Sequence, residues 1–259
     1  MDLGLKDKVI LVTGGAKGIG RGIVDALARE GALPIIIGRN ERDNEQARQE
    51  LMNAGYQVAT VLAELTRPEA CEMAVREAVE KYGRIDGLVN NAGVNDNVSL
   101  AEGTYASFMD SLHKSLVHYY LMAHFALPEL KKNGGSILNI GSKVAETGQG
   151  GTSGYAASNG ARNALTREWA VELLPHQVRV NAIIVAECWT PLYEKWLASL
   201  PDGDEKLETI TRNIPLGRRM TTSQEIADMA VFLLSPRSSH TTGQLIHVDG
   251  GYVHLDRGI

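Results

Sequence analysis

The sequence predicts an α/β fold, a doubly wound parallel sheet of about seven strands with helices on both faces. Three observations carry this. Short apolar runs alternate with longer amphipathic stretches along the 259 residues. A glycine-rich turn, TGGAKGIG at 13–20, joins the first apolar run to the first amphipathic one. No low-complexity linker or internal repeat breaks the alternation, so residues 1–259 read as a single domain.

The elements follow in order. VILVT at 9–13 reads as a buried strand, and 18–30 as a helix with Ile19, Ile23, Val24 and Leu27 on one face. PIIIG at 34–38 is a second strand. The charged stretch 41–54 is a helix stopped by Gly55. YQVATVLA at 56–63 is a third strand, 67–82 a helix closing at Gly83, and IDGLVNN a fourth strand. A long helical region runs over about 104–132, followed by the strand SILNIGS at 136–142. Residues 155–174 form a helix and VRVNAII at 178–184 a strand. The stretch 185–220 reads as loop-rich. Residues 223–234 give the last helix and QLIHVDGG the last strand.

Composition narrows the function. The net charge of −5 offers no basic field for nucleic acid or an anionic membrane. No apolar run approaches the ~18 residues of a membrane span, and MDLGLKDKVILV is charged where a signal peptide is apolar. Cys71 and Cys188 make no disulfide framework, which fits a reducing cytoplasm. His113, His118 and His124 stand five and six apart rather than three or four, so spacing shows no metal site.

The glycine turn carries the first specific chemistry. Gly14, Gly18 and Gly20 let backbone approach a pyrophosphate, and the helix start at Ile19 presents free N–H groups to it. Cofactor choice is set at the end of the second strand, in IIIGRNE. A carboxylate there would bind ribose hydroxyls and repel a 2′-phosphate. Gly38 stands in that place, followed by Arg39 and Asn40. Arg39 can fork onto a phosphate and Lys17 adds a second cation, which favours NADP while leaving NAD open.

TGGAKGIG, then NNAG at 90–93, Ser142, Tyr155, Asn181 and Thr190 fall in one register over roughly residues 5–254. In this the chain resembles the short-chain dehydrogenase/reductase family, with its Rossmann-type sheet. The resemblance implies that Glu64 and Leu65 hold the adenine, and that Asn90, Ala92 and Gly93 line the cofactor. It places Ile184 and Thr190 at the nicotinamide carboxamide. Ser142 would hydrogen-bond the substrate oxygen and Tyr155 would be the general acid/base. A tyrosine of ordinary pKa about 10 is a poor base near neutrality, so the family sets a lysine four residues on, on the same helical face.

Two positions depart from that pattern. Asn159 stands where the lysine belongs; it can still meet a ribose hydroxyl but brings no charge. Ser115 aligns with the family's active-site asparagine, counting back from Pro128. Three explanations stay open: an altered, impaired variant; a relay through other groups; or a nucleotide site without redox chemistry. Lys143 is a candidate substitute cation, but neighbouring strand side chains face opposite ways, so it reads rather as a solvated or substrate-binding lysine.

The stretch 185–220 is the expected substrate lid, offering Glu187, Trp189, Tyr193 and Trp196; Gln149 and Asn95 add polar groups. Acceptors for hydroxyls and flat faces for a ring suit a sugar or polyol. SKVAETGQGGTSGY, AECWTPLYEKW and HVDGGYVHLDR resemble the bacterial L-fucose dehydrogenases within the family. That resemblance implies oxidation of an aldose to a lactone. It also implies a homotetramer, with His254 to Ile259 closing a neighbour's site. The alternatives are a carbonyl reductase of another small ketone and a nucleotide-binding protein with little redox activity.

Overall fold

In the computed structural model, which describes residues 2–256, β1 (Val9–Thr13) is buried at every position. Its side chains alternate between two cores: Val9 and Leu11 enter one, Ile10 and Val12 the other. β2 (Leu33–Gly38) repeats this, with Ile35 and Ile37 on the first side and Ile36 on the second. A strand buried on both faces needs a continuous apolar run, which is why these segments carry no polar break.

β3 (Ala59–Leu62), β4 (Gly87–Asn90), β5 (Ser136–Ser142), β6 (Arg179–Val185) and β9 (Leu245–Val248) complete a seven-stranded sheet. Its order is β3-β2-β1-β4-β5-β6-β9, and each pairing is parallel. Helices α1 (Gly18–Arg29), α2 (Glu41–Asn53) and α10 (Ser223–Leu234) cover one face. Helices α3 (Pro68–Tyr82), α5 (His118–Asn133) and α7 (Ser153–Glu172) cover the other. Strand order reverses between β1 and β4, and a crevice at such a switch point is the place where this architecture takes ligands.

Three expectations need correction. The helical region from 104 runs unbroken to Asn133 but is not one regular α-helix: α4 (Tyr105–Leu112) passes into α5 through a π-turn at His113–Val117. The extra residue per turn displaces the backbone at Ser115. The stretch 185–220 holds two helices, α8 (Pro191–Ala198), capped by the Thr190 side chain, and α9 (Gly203–Arg212). Pro201, Asp202 and Gly203 punctuate it like a loop, and α9 buries no residue fully. A two-residue pair, β7 (Cys188–Trp189) with β8 (Thr221–Thr222), closes the base of this segment. Finally, a short helix, α6 (Val144–Thr147), follows β5 unannounced.

Candidate active site

The glycine turn occupies the switch point and is built to keep side chains out. Gly14 and Gly18 have φ of 65° and 56°, the left-handed region that glycine enters freely. A Cβ on Gly20 would lie 2.6 Å from Asn91 Nδ2 and closer still to the Gly14 carbonyl. Asn91 braces the turn, donating to the Thr13 carbonyl at 2.9 Å and to the Gly14 carbonyl at 3.3 Å. The Thr13 hydroxyl accepts from the Asn91 and Ala92 amides at 2.8 and 3.1 Å. Ile19 starts α1 half-buried against its core. Thr190 approaches from the far side, its methyl 3.4 Å from where a Gly18 Cβ would stand. This open cradle at a helix N-terminus fits a dinucleotide pyrophosphate.

The adenine end differs from the reading made from sequence. A Cβ on Gly38 would meet Asn44 Oδ1 at 2.8 Å, and Asn44 donates back to the Gly38 carbonyl at 2.9 Å. A side chain at this position would require Asn44 to shift and give up that hydrogen bond. Arg39 and Lys17 are exposed as expected, but each meets an acid brought by the fold. Arg39 pairs with Glu64 at 3.3 Å, and Lys17 with Asp43 at 2.6 Å. Thr66 holds the other Glu64 oxygen at 3.0 Å. The premise that no acid lies near these cations fails; the acids come from α2 and from the end of β3. Asn40 is exposed and caps α2, accepting from Asp43 N at 3.1 Å. Leu65 is buried.

Two expected lining residues sit deeper. Asn90 has no exposure, and its amide donates to the Tyr119 carbonyl and to Asn139 Oδ1. It ties β4 to β5 and α5, leaving Ala92 and the exposed Gly93 as the lining positions of NNAG. Ile184 is likewise fully buried in the centre of β6.

The residues expected to react lie on β5 and the helix that follows it. Ser142 ends that strand, nine-tenths buried, and Tyr155 lies half-buried in the first turn of α7. Asn159 is completely buried behind it: Nδ2 donates to the Tyr155 carbonyl at 2.8 Å, and Oδ1 accepts from Arg162 at 3.0 Å. Both ends of the amide are consumed inside the protein, so it presents nothing to a ribose. Ser115 lies in the π-turn, where its hydroxyl exchanges hydrogen bonds with the Val94 backbone. Arg162, absent from the sequence reading, is the new member of this group.

Lys143 is neither solvated nor free. It is buried, paired with Glu187, and stands 3.9 Å over the Tyr252 ring. Glu187 follows β6 two residues beyond Val185, the register partner of Ser142, which brings it beside the site. Tyr193 donates to its other oxygen at 2.8 Å. Burial, then the Glu187 charge, push the Tyr193 phenol well above its ordinary value. Trp189 and Trp196 are partly exposed, the latter edge-on to Tyr193. Gln149 and Asn95 are exposed, in the loops after α6 and β4, and no hydrogen bond joins either to Glu187 or Tyr193 among the described residues.

A family model described as Enoyl-(Acyl carrier protein) reductase matches residues 14–253 of this chain. The chain belongs to the short-chain dehydrogenase/reductase family. It is 37% identical over 245 residues to the L-fucose dehydrogenase of Bos taurus, covering 94% of this chain and 88% of that one. That relative is mammalian, so the likeness is not confined to bacterial enzymes. The crystal structure of Cj0485 dehydrogenase superposes with a TM-score of 0.95 at 47% identity, covering 100% and 99% of the two chains. The ligand-free aldohexose dehydrogenase (AldT) of Thermoplasma acidophilum gives 0.89 at 28% identity, covering 99% and 98%.

As a member of this family the protein is an NAD(P)-dependent oxidoreductase. Sequence reasoning named Tyr155 and Ser142 and took Asn90 to Gly93 as one motif, but missed Asn44 and Arg162, whose contacts run to residues outside any local pattern. Arg162 alone had a signal: it lies seven residues after Tyr155, two helical turns along one face. Glu146, His247 and His254 also converge, their donor atoms within 4.8 Å of one another. His247 and His254 are seven positions apart, but Glu146 lies about a hundred positions upstream, so no spacing pattern joins the three. No helix among the described residues is long and apolar enough to cross a membrane.

Proposed function

We propose that this dehydrogenase oxidises the anomeric hydroxyl of L-fucose or a similar aldose to the lactone, with NADP as acceptor. The observation that carries the substrate class is Glu187, fixed between Lys143 and Tyr193 beside the end of β5. A carboxylate held this firmly has lone pairs left for sugar hydroxyls, and Trp189 and Trp196 offer faces to a ring. The likeness to an L-fucose and an aldohexose dehydrogenase supports the same class.

In this reading Ser142 hydrogen-bonds the anomeric oxygen and Tyr155 takes its proton as the general base. The anomeric carbon loses a hydride as its C–O bond becomes the lactone carbonyl. Bound nicotinamide supplies the hydride acceptor. Arg39 and Lys17, with no side chain at Gly38, support NADP over NAD; Glu64 and Asp43 hold these cations until a 2′-phosphate competes for them. The single domain carries its lid at 185–220, works in the cytoplasm, and assembles as a homotetramer. Support for assembly is β9, an edge strand whose four residues stay half-exposed. The proposed role of the tail in a neighbour's site falls partly outside the described residues, at 257–259.

The test is a panel of aldoses with NADP, with the product identified by NMR. A lactone from L-fucose supports the reading. Glu187→Gln should raise KM for the sugar about 10-fold or more, the loss of a charged hydrogen bond, while NADP affinity holds. Equal turnover of sugars and simple secondary alcohols would contradict it.

A further inference from the structure

We infer that Arg162 replaces the missing lysine as the cation that makes Tyr155 a base, acting through the tyrosine rather than on the substrate. The inference rests on the reading of Tyr155 as the proton acceptor. Its starting point is a buried charge that the fold leaves without a counter-ion. Arg162 is 3% exposed. Its hydrogen bonds go to neutral oxygens: the Ser115 carbonyl through Nε at 2.8 Å and through Nη2, the Ile140 carbonyl at 3.2 Å, and Asn159 Oδ1 at 3.0 Å. Among the described residues no carboxylate forms an ion pair with it. Burying an arginine without a partner acid is costly, so a positive charge at this spot calls for a use.

The geometry supplies one. Tyr155, Asn159 and Arg162 share a face of α7. The guanidinium carbon stands 4.1 Å from the Tyr119 ring centre and 6.0 Å from that of Tyr155. A Cβ on Gly93 would come within 2.9 Å of Nη2, so the guanidinium lies directly beneath the NNAG loop. Both departures from the family pattern are absorbed by it. Asn159 has no charge, but its oxygen orients Arg162. Ser115 has no carboxamide, but its carbonyl, shifted by the π-turn, accepts two of the guanidinium bonds. One side chain takes the place of the charge at 159 and of the support at 115.

The other ionisable groups around the pair do not provide this charge. The Tyr119 phenol is pushed up to about 12 by burial and donates to the Ile140 carbonyl. His118 is held down at about 4 by burial and by the arginine itself. Lys143 is matched by Glu187. Asp96, bonded by Ser111 against the start of α7, is an acid and opposes a phenolate. A cation whose guanidinium carbon stands 6.0 Å from the Tyr155 ring centre favours the phenolate over the phenol by its charge.

The test compares the parent with Arg162→Gln, Arg162→Lys, Tyr155→Phe and the double variant Arg162→Gln/Asn159→Lys. Glutamine keeps a donor for the Ser115 carbonyl and removes the charge; Arg162→Met is the second neutral variant should glutamine not be accommodated. Two readouts are taken: the pH profile of kcat for L-fucose oxidation, and a carbon-13 NMR titration of tyrosine Cζ, with Tyr155→Phe assigning the signal. In Arg162→Gln the rising limb of kcat and the phenol midpoint should both move up by about one to two pH units, with KM for NADP nearly unchanged. Arg162→Lys should stay near the parent, and a lysine at 159 should recover most of the shift. The inference is overturned if the midpoints stay put in a neutral variant that still binds NADP. It is equally overturned if activity falls by one factor at every pH and the double variant restores nothing. Failure of the base reading is separate: Tyr155→Phe would keep its activity, and the NMR midpoint would still decide what Arg162 does.

Discussion

At Gly20 the absence of a side chain is a steric requirement, because the Gly14 carbonyl and the Asn91 amide occupy the space a methyl would take. Gly20→Ala should destabilise the protein by about 1–3 kcal/mol, the usual cost of overpacking. It should also weaken dinucleotide binding measurably in a fluorescence titration, since the turn must widen. At Arg39 the question is preference rather than shape. Arg39→Asp removes a phosphate partner and adds a ribose acceptor, so the ratio of kcat/KM for NADP over NAD should fall at least about 10-fold. Steady-state kinetics with both cofactors checks this. Legibility at this scale followed chain proximity. Tyr155, Ser142 and the glycine turn declare themselves by residue type and local spacing. The pairing of Lys143 with Glu187, or of Arg39 with Glu64, joins residues 44 and 25 positions apart, and no local pattern encodes it.

Four helices, α2, α4, α8 and α10, start at a side chain that accepts from a backbone donor of the first turn. α10 shows this best: the Thr222 hydroxyl accepts from Glu225 N at 3.2 Å, and the Glu225 carboxylate accepts from Thr222 N at 2.8 Å. Thr222→Ala should cost about 1 kcal/mol and lower Tm by about 2–4 °C in a calorimetric scan. The effect should reach α1, because Gly22 lets that helix pack within 2.8 Å of the Ser223 carbonyl, counted from a Cβ position. Strands buried on both faces and amphipathic helices ending in glycine were legible to within a few residues, as at α3, which stops at Gly83 with φ of 73°. The π-turn was not, because His113–Val117 has ordinary helical composition. Helices α8 and α9 were missed because both are short and Pro201, Asp202 and Gly203 between them read as a loop, although α9 is amphipathic.

Across the molecule, both cores close on a sheet whose buried polar groups set its response to acid. His118 is fully enclosed, with Nε2 against the Lys114 carbonyl at 3.0 Å and no partner at Nδ1. Burial lowers its pKa from 6.5 to about 4. The unfolded chain therefore binds a proton that the folded chain refuses, and stability falls as pH drops from 6.5 toward 4, by about 3 kcal/mol in total. Denaturant melts at pH 7 and pH 5 should show the loss, and His118→Gln should flatten it. The proposed tetramer would cover the open edge at β9, and light scattering should report four chains. The central claim is that this assembly, despite Asn159 and Ser115, is a working sugar dehydrogenase with Tyr155 as its base. The most direct measurement is NADPH formation from L-fucose and NADP between pH 6 and 10, in the parent and in Tyr155→Phe. The account predicts turnover already near neutrality in the parent and at least a hundredfold loss in the phenylalanine variant, the scale of a missing general base. NADP binding with no oxidation of any aldose, or equal rates in both proteins, would contradict it.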